Sequence, residues 1–252
     1  GVGMGAKLSA ASSVTDGMML AASKAVADYV PPELVEQGKL FPDLKYLRQI
    51  GMDITVAVWK QAAAEGVARQ AVPADVEEQV AKAFYTPTYD PLYKCGAHPL
   101  FCNNGDSYVD LPQVMMNNLV YKGTAYTMQQ RKEKKLLGLI PVAEETLQDQ
   151  AERVMEHVRG YEKMINKYVH MENLHSSNAT LFYKVLLENV VELLPVLYTP
   201  TVGEACQRFG QDFATEAGMY ISIKDKGRVR QLLDNWPHTP DIIVVTDGGR
   251  IL

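Results

Sequence analysis

The segment around Tyr198 has the residue types of a proton-transfer site. In ENVVELLPVLYTPTVGEACQRFG an apolar helix ends near Tyr198, and Pro195, Thr199, Pro200 and Gly203 predict a sharp turn there. A tyrosine has an ordinary pKa of about 10, so it acts as a general acid near neutral pH when a neighbouring cation lowers that value. The alternative is a buried tyrosine whose hydroxyl bonds a backbone group. Spacing alone leaves both interpretations open.

Arg250 is the second residue whose position suggests chemistry. DIIVVTDGGRIL runs an apolar segment of strand length into a glycine turn that carries this arginine. Open α/β sheets place ligand groups at strand ends, and arginine grips a carboxylate with two parallel hydrogen bonds. Arg250 is therefore a candidate for binding an anionic substrate. A solvent-exposed or salt-bridged arginine is the alternative.

The glycines at the start of the chain give only a weak signal for a nucleotide. GVGMG resembles part of a dinucleotide loop, in which glycines let the backbone approach a pyrophosphate. No strand precedes it in this sequence, however, and no full GxGxxG pattern follows. A Gly-rich turn before the first helix is the favoured interpretation, and no cofactor-binding residue is assigned.

No metal site is expected from the histidines and cysteines. Neither the three cysteines nor the five histidines have ligand spacing, and the end of a solvated helix accounts best for His170 and His175. The residues are Cys95, Cys102, Cys206, His98, His157, His170, His175 and His238.

The apolar periodicity predicts an α/β fold that is mostly helical, with a small, mainly parallel sheet. Helical patterns cover Thr15 to Tyr29, Leu44 to Ala68, Ala74 to Phe84, Glu144 to His170 and Asn178 to Val191. In the last quarter MYISI and DIIVV have strand length and flank the helix-like GRVRQLLDN, which predicts a βαβ unit.

Composition narrows the class of protein. The 252 residues are 47% hydrophobic and carry a net charge of -5, with scattered basic residues apart from the run Arg131 to Lys135. Nucleic acid binding is therefore not expected, and no apolar run reaches the ~18 residues of a membrane span. The odd cysteine count favours a reducing compartment, which leaves the cytosol and the mitochondrial matrix equally open.

Three stretches together resemble the N-terminal half of malic enzymes: GTAYTMQQRKEKKLLGLIP, LFYKVLLENVVELLPVLYTPTVGEACQRFG and GMYISIKDKGRVRQLLDNWPHTPDIIVVTDGGRIL. The resemblance implies that Tyr198 is the catalytic tyrosine that protonates the enol of pyruvate. It implies equally that Arg250 binds a carboxylate of malate.

The first 93 residues resemble the C-terminal region of the same family, so the family's tail precedes its head. The resemblance implies a circular permutation, with residues 1–93 from the C-terminal region, a linker at 94–120, and the N-terminal catalytic domain at 121–252. We expect the linker to run over the surface, because its Pro, Gly and Asn content suits turns. Gly1 and Leu252 are expected to lie close in space, where the family's chain crosses into its nucleotide domain.

The resemblance also implies what this chain lacks. Malic enzymes oxidise malate with NAD or NADP, decarboxylate the product with Mg²⁺ or Mn²⁺ as Lewis acid, and protonate the enol. The Rossmann domain, the general-base lysine and the acidic metal ligands do not occur in these 252 residues. We therefore expect no turnover, and no bound nucleotide or metal, for the chain alone.

Two other interpretations stay open. The chain is an excised segment of a tandem malic enzyme, or it is a non-catalytic module that keeps the family's helical oligomerisation surfaces. That it begins at Gly1 and ends at Leu252 favours a fragment, and a homo-oligomer is expected from the family. The sequence does not choose between NAD and NADP.

Overall fold

The computed structural model describes residues 1–89, 118, 120–212, 218–236, 243–247 and 249. Two units are distinguished, residues 1–86 and residues 87–252. The described residues of both form helices joined by turns, which confirms the prediction of a mostly helical chain. The described residues contain no strand, so the small parallel sheet predicted from the sequence is not found among them.

The first unit contains five α-helices and a short 3₁₀ turn over Leu44–Tyr46. Their bounds are α1 Val2–Leu8, α2 Asp16–Ala27, α3 Pro32–Glu36, α4 Leu47–Ala64 and α5 Val76–Ala83. α1, α2 and α5 all pack against α4. Val58 and Ala62 of α4 are fully buried beside Met18 and Ala22 of α2.

The first predicted helix, over Thr15 to Tyr29, is confirmed as α2. Thr15 caps α2 by accepting a hydrogen bond from the backbone N–H of Met18, as its position before an acidic first turn predicts. Met18 rather than Met19 points into the core, and Met19 is exposed. The α4 pattern also begins later than expected, because Leu44 lies in the 3₁₀ turn.

The described residues of the second unit form seven α-helices. Their bounds are α6 Met128–Glu133, α7 Leu147–Gly160, α8 Met164–Ser177, α9 Ala179–Glu188, α10 Val190–Leu197, α11 Thr201–Asp212 and α12 Val229–Asp234. The segment predicted to be helical from Glu144 to His170 is divided between two helices, because the chain turns after Gly160 and starts α8 at Met164.

The core of the second unit lies between α7, α8, α9 and α10. Its buried residues come from all four helices and are Ala151, Val154, Met155, Val158, Met171, Leu181, Phe182, Val185, Leu193 and Val196. At the start of α9, Asn178 is a buried N-cap that accepts from the backbone N–H of Leu181. These packed helices hold the end of α10 and the beginning of α11.

Arg131 is a buried structural residue rather than part of a basic surface. It is 2% exposed, and its guanidinium donates to the backbone carbonyls of Thr124, Tyr126, Pro141, Val142 and Ala143 at 2.6 to 3.2 Å. A guanidinium has five N–H donors, and all five of them bond carbonyls in the segment from 124 to 143. The sequence pattern does not indicate this burial, because Arg131 is followed by a run of exposed charged residues.

The predicted strand MYISI does not form. Ser222 and Asp225 make a reciprocal capping box, which turns Ile223–Asp225 into a 3₁₀ helix. The helix between the two predicted strands is present as α12. Ile243, Val244 and Val245 of the second predicted strand are unpaired and 71%, 86% and 89% exposed. A strand needs a neighbour for its backbone hydrogen bonds, and the described residues supply none.

Among the helices of the described residues, none combines the length and the apolar character needed to cross a membrane.

Candidate functional site

Tyr198 lies at the end of α10 with its backbone fixed and its side chain half-exposed. Its N–H donates to the carbonyl of Leu194 at 2.8 Å, and its own carbonyl accepts from the N–H of Val202 at 2.9 Å. The residue is 53% exposed, and its hydroxyl has no hydrogen-bond partner among the described residues. The interpretation of Tyr198 as a buried tyrosine is therefore wrong.

The turn after Tyr198 is shorter than the sequence pattern suggests. Pro195 belongs to α10 and Gly203 to α11, which leaves only Thr199 and Pro200 between Tyr198 and the next helix. The Thr199–Pro200 peptide bond is cis. Because the connection is so short, α10 and α11 both hold the backbone at Tyr198.

No cation contacts Tyr198 within the described part of the chain. The cation–π contacts found there join Lys45 with Tyr46 and Lys122 with Tyr89. Tyr198 also lines neither of two clefts in the second unit, an open groove of about 580 Å³ beside α7 and a smaller cleft of about 220 Å³ near Gln150. The cation that the general-acid argument requires must come from outside these residues.

Arg250 lies outside the described residues, so its distance from Tyr198 is not defined. Next to it, the N–H of Gly249 donates to Oδ1 of Asp247 at 2.9 Å. The preceding run Ile243 to Val245 is exposed and pairs with no other described residue.

GVGMG forms the start of α1 instead of a Gly-rich turn, and two of its three glycines, Gly1 and Gly5, pack against α4. Gly1 is the N-cap of α1, and Gly3 and Gly5 lie within this helix. A Cβ on Gly5 would lie 2.7 Å from the side chain of Val58 and 3.0 Å from the carbonyl of Thr55, both on α4. The side of α1 that carries Gly1 and Gly5 is therefore filled by α4. These glycines do not form a cradle for a pyrophosphate.

The two histidines expected at a solvated helix end are both half-buried. His170 makes an edge-on contact with His157, with ring centroids 5.8 Å apart, and its pKa is lowered by burial and then by His157. His175 packs on Phe182 at 4.6 Å. Over the described residues no group of three or more His, Cys, Asp or Glu side chains is placed to hold a metal ion.

A buried polar network in the second unit was missed by the sequence reasoning. Gln150 accepts from the hydroxyl of Tyr89 at 2.6 Å and donates to the carbonyl of Lys122 and to the hydroxyl of Thr124. Asn178 in turn donates to the Tyr89 hydroxyl at 2.7 Å. These contacts hold the segments before α6 and α9 on α7. The partners are far apart in sequence, so only the fold shows that they meet.

Two family models match the chain. Residues 175–252 match the malic enzyme N-terminal domain, and residues 1–63 match the malic enzyme NAD binding domain. The two matches occur in the order opposite to the one that the name "N-terminal domain" indicates. Tyr198 and Arg250 both fall in the first of these matches, and GVGMG falls in the second.

About half of this chain aligns with curated relatives. A chloroplastic NADP-dependent malic enzyme of Flaveria trinervia is 48% identical over 132 residues, which is 52% of this chain and 20% of that relative. The Zea mays chloroplastic enzyme of the same name is also 48% identical, over 52% of this chain and 21% of its own length. An NADP-dependent malic enzyme of Dictyostelium discoideum is 41% identical over 55% of this chain and 26% of the relative. The chain thus spans about a fifth to a quarter of these relatives.

Proposed function

The chain belongs to the malic enzyme family, and from that premise we propose that it carries two substrate-facing groups of a malate-decarboxylating site. Tyr198 is the general acid that delivers a proton to the enol of pyruvate from its phenolic hydroxyl. Arg250 binds a carboxylate of malate with two parallel hydrogen bonds. The overall reaction of the complete enzyme is the NAD- or NADP-dependent oxidation and decarboxylation of malate to pyruvate and carbon dioxide.

The observation that carries this proposal is the presentation of Tyr198. Its backbone is fixed by hydrogen bonds to Leu194 and Val202, while its side chain is 53% exposed and its hydroxyl has no partner among the described residues. A proton donor needs this combination, because the backbone sets the geometry and the hydroxyl remains available to the reacting atom. A tyrosine with a purely structural role would instead bury its ring and bond its hydroxyl to the protein.

The nucleotide and the metal are proposed to depend on parts of the enzyme beyond this chain. Hydride transfer needs NAD or NADP, and decarboxylation needs a divalent cation such as Mg²⁺ or Mn²⁺. The helical packing of GVGMG does not fit a phosphate loop, although residues 1–63 match the NAD binding domain. We infer that the 252-residue chain alone binds neither group and does not turn over.

The order of the family segments supports a rearranged scaffold. The proposed division is residues 1–93 from the C-terminal region of the family, a linker at 94–120, and the N-terminal catalytic domain at 121–252. The reversed order of the two family matches favours this circular permutation or a tandem enzyme over a simple truncation. The mass of the source polypeptide discriminates between the two. A parent of about 28.0 kDa supports permutation, and a much larger one supports a tandem.

Assembly and compartment are proposed from the family. We expect a homo-oligomer formed through the helical parts, and we expect Ile243 to Val245 to pair as a strand in the complete enzyme. The cytosol and the mitochondrial matrix remain the proposed compartments. Two of the relatives are named as chloroplastic, so a plastid is a third proposed compartment.

Binding of small dicarboxylates by the purified chain tests the proposal. Titration calorimetry with malate should detect weak binding that Arg250→Ala abolishes and Tyr198→Phe leaves nearly intact. Arg230→Ala is the matched control, since Arg230 is exposed and paired with Asp234, and it should bind malate like the wild type. If Arg250→Ala bound malate as well as the wild type, the proposed clamp would be wrong. Absence of binding by the wild type would favour a non-catalytic module.

A further inference from the structure

The last turn of α10 has a backbone acceptor that the helix itself does not satisfy. Tyr198 is the C-cap of α10, and its N–H bonds Leu194, so the next carbonyl, that of Pro195, lies beyond the regular pattern. Carbonyls in the last turn of a helix need partners from a side chain, from water or from a following segment. The partner of the Pro195 carbonyl therefore decides how the chain leaves the helix at Tyr198.

That partner is the hydroxyl of Thr201. Thr201 is the first residue of α11 and is 3% exposed, and its Oγ1 donates to the Pro195 carbonyl at 2.7 Å. This hydrogen bond crosses the turn and joins the two helices on either side of Tyr198. Since the site is buried, water does not readily replace the hydroxyl if it is removed.

We propose that Thr201 is a positioning residue for Tyr198, an inference that rests on the proposed role of Tyr198 as proton donor. Three hydrogen bonds surround this tyrosine. The N–H of Tyr198 donates to the carbonyl of Leu194, and the N–H of Val202 donates to the carbonyl of Tyr198. The hydroxyl of Thr201 donates to the carbonyl of Pro195. The first two hold the peptide groups of Tyr198, and the third sets the distance between the helices that carry them. Thr201 thereby fixes the direction in which the Tyr198 ring leaves the backbone, without touching the substrate.

A merely stabilising role for Thr201 predicts a different response to mutation. A general loss of stability raises the exchange rates of all amides that open by global unfolding. Loss of a local lock raises exchange at the turn and leaves the remaining helices protected. The exchange rates of individual amides therefore separate the two roles.

Amide hydrogen exchange and tyrosine ring spectra of the complete chain test the proposal. In Thr201→Val, which keeps the shape and removes the donor, the amides of Tyr198 and Val202 should exchange about tenfold faster. The amide of Asn189 at the end of α9 should keep its rate. The ring carbon signals of Tyr198, assigned with Tyr198→Phe, should shift or broaden. Thr201→Ser restores the hydroxyl and should restore both signals.

The matched control is Thr55→Val. Thr55 is also buried and donates to a backbone carbonyl, that of Gly51 at 2.8 Å, but it lies on α4 in the first unit. Its substitution should leave the amides and the ring signals of Tyr198 unchanged. If Thr201→Val does not fold, the wild type still decides, because the Thr201 hydroxyl proton should exchange slowly with water.

Unchanged protection of Tyr198 and Val202 in Thr201→Val would overturn the proposal. Equal acceleration across α7 to α10, or a freely exchanging Thr201 hydroxyl in the wild type, would overturn it as well. These measurements do not depend on substrate. If Thr201→Val loosens the turn at Tyr198 but Arg250→Ala leaves malate binding unchanged, only the proposed function fails. If Arg250→Ala abolishes malate binding but Thr201→Val leaves the turn protected, only the positioning role fails.

Discussion

Two parts of the segment that matches one family domain differ sharply in their packing. From Leu181 to Val196 the helices α9 and α10 supply much of the core of the second unit. From residue 218 to residue 249 none of the described side chains is buried, and apolar ones such as Ile223 and Val245 are 87% and 89% exposed. A helix satisfies its backbone hydrogen bonds internally, whereas an extended segment depends on a neighbour. Within one matched family domain, the helical part is thus packed into the core, while the extended part has no partner among the described residues.

The difference bears directly on the two candidate residues. Tyr198 follows the packed part and has a defined backbone. Arg250 follows the exposed part and lies outside the described residues. The chain therefore positions the backbone of Tyr198 by itself. We propose that the position of Arg250 depends on partners of the extended run.

The largest effect is expected from truncating a leucine in the packed part. Leu193→Ala removes a fully buried side chain from the core of the second unit and should lower the free energy of unfolding by about 2 to 5 kcal/mol. Leu233→Ala, on α12 and 49% exposed, should change it by less than about 0.5 kcal/mol. Urea unfolding of both variants measures the difference. Equal losses would show that α12 is packed as firmly as α10.

A smaller effect is expected when an arginine is replaced by lysine. Arg131→Lys removes most of the donors that bond five carbonyls in the segment from 124 to 143, so stability should fall by about 2 to 3 kcal/mol. Arg230→Lys, in the exposed part, keeps a surface pair with Asp234 and should cost less than about 0.5 kcal/mol. If Arg131→Lys had the same melting temperature as the wild type, the structural role of Arg131 would be contradicted.

The glycines of α1 extend the comparison to the first unit. Gly5→Ala places a Cβ 2.7 Å from Val58 and should destabilise this unit by about 1 to 3 kcal/mol. Gly3→Ala has nothing within 4 Å and should be neutral or stabilise α1 by up to about 1 kcal/mol. The fluorescence of Trp59, which is buried in this unit, measures the unfolding of both variants. A stabilising Gly5→Ala would reopen the idea that α1 is free to bind a ligand.

The smallest effect concerns pH. Burial, and secondarily His157, lowers the pKa of His170 below its ordinary value of 6.5. The unfolded chain then binds the proton more readily, so stability should fall as the pH drops below about 6.5 and continue to fall down to the lowered pKa. His170→Gln should flatten this part of the stability curve, and His157→Gln should flatten it less. A stability curve in His170→Gln as steep as that of the wild type would assign the effect elsewhere.

The sequence predicted what is decided locally. Thr15 before Asp16 marked the start of α2, and the apolar run before Tyr198 marked the end of α10. The prediction of a strand at Met219 to Ile223 was wrong. The hydrogen bonds of the capping box between Ser222 and Asp225 favour a 3₁₀ helix there over the extended backbone that the β-branched residues favour.

Features that depend on contacts between distant segments were not predictable in the same way. The burial of Arg131 depends on carbonyls up to twelve residues away. The packing of Gly5 depends on α4, some fifty residues along the chain. The residue pattern made Tyr198 and Arg250 candidates with open alternatives, and the family resemblance implied a specific role for each.

We propose that the groups of this chain suffice for contact with malate and do not suffice for turnover. The direct test is malate-dependent reduction of NAD or NADP by the purified 252-residue chain, with Mg²⁺ or Mn²⁺ present. We expect no reduction above background with either nucleotide or either metal. Robust turnover that persists through further purification, and that Tyr198→Phe abolishes, would contradict it.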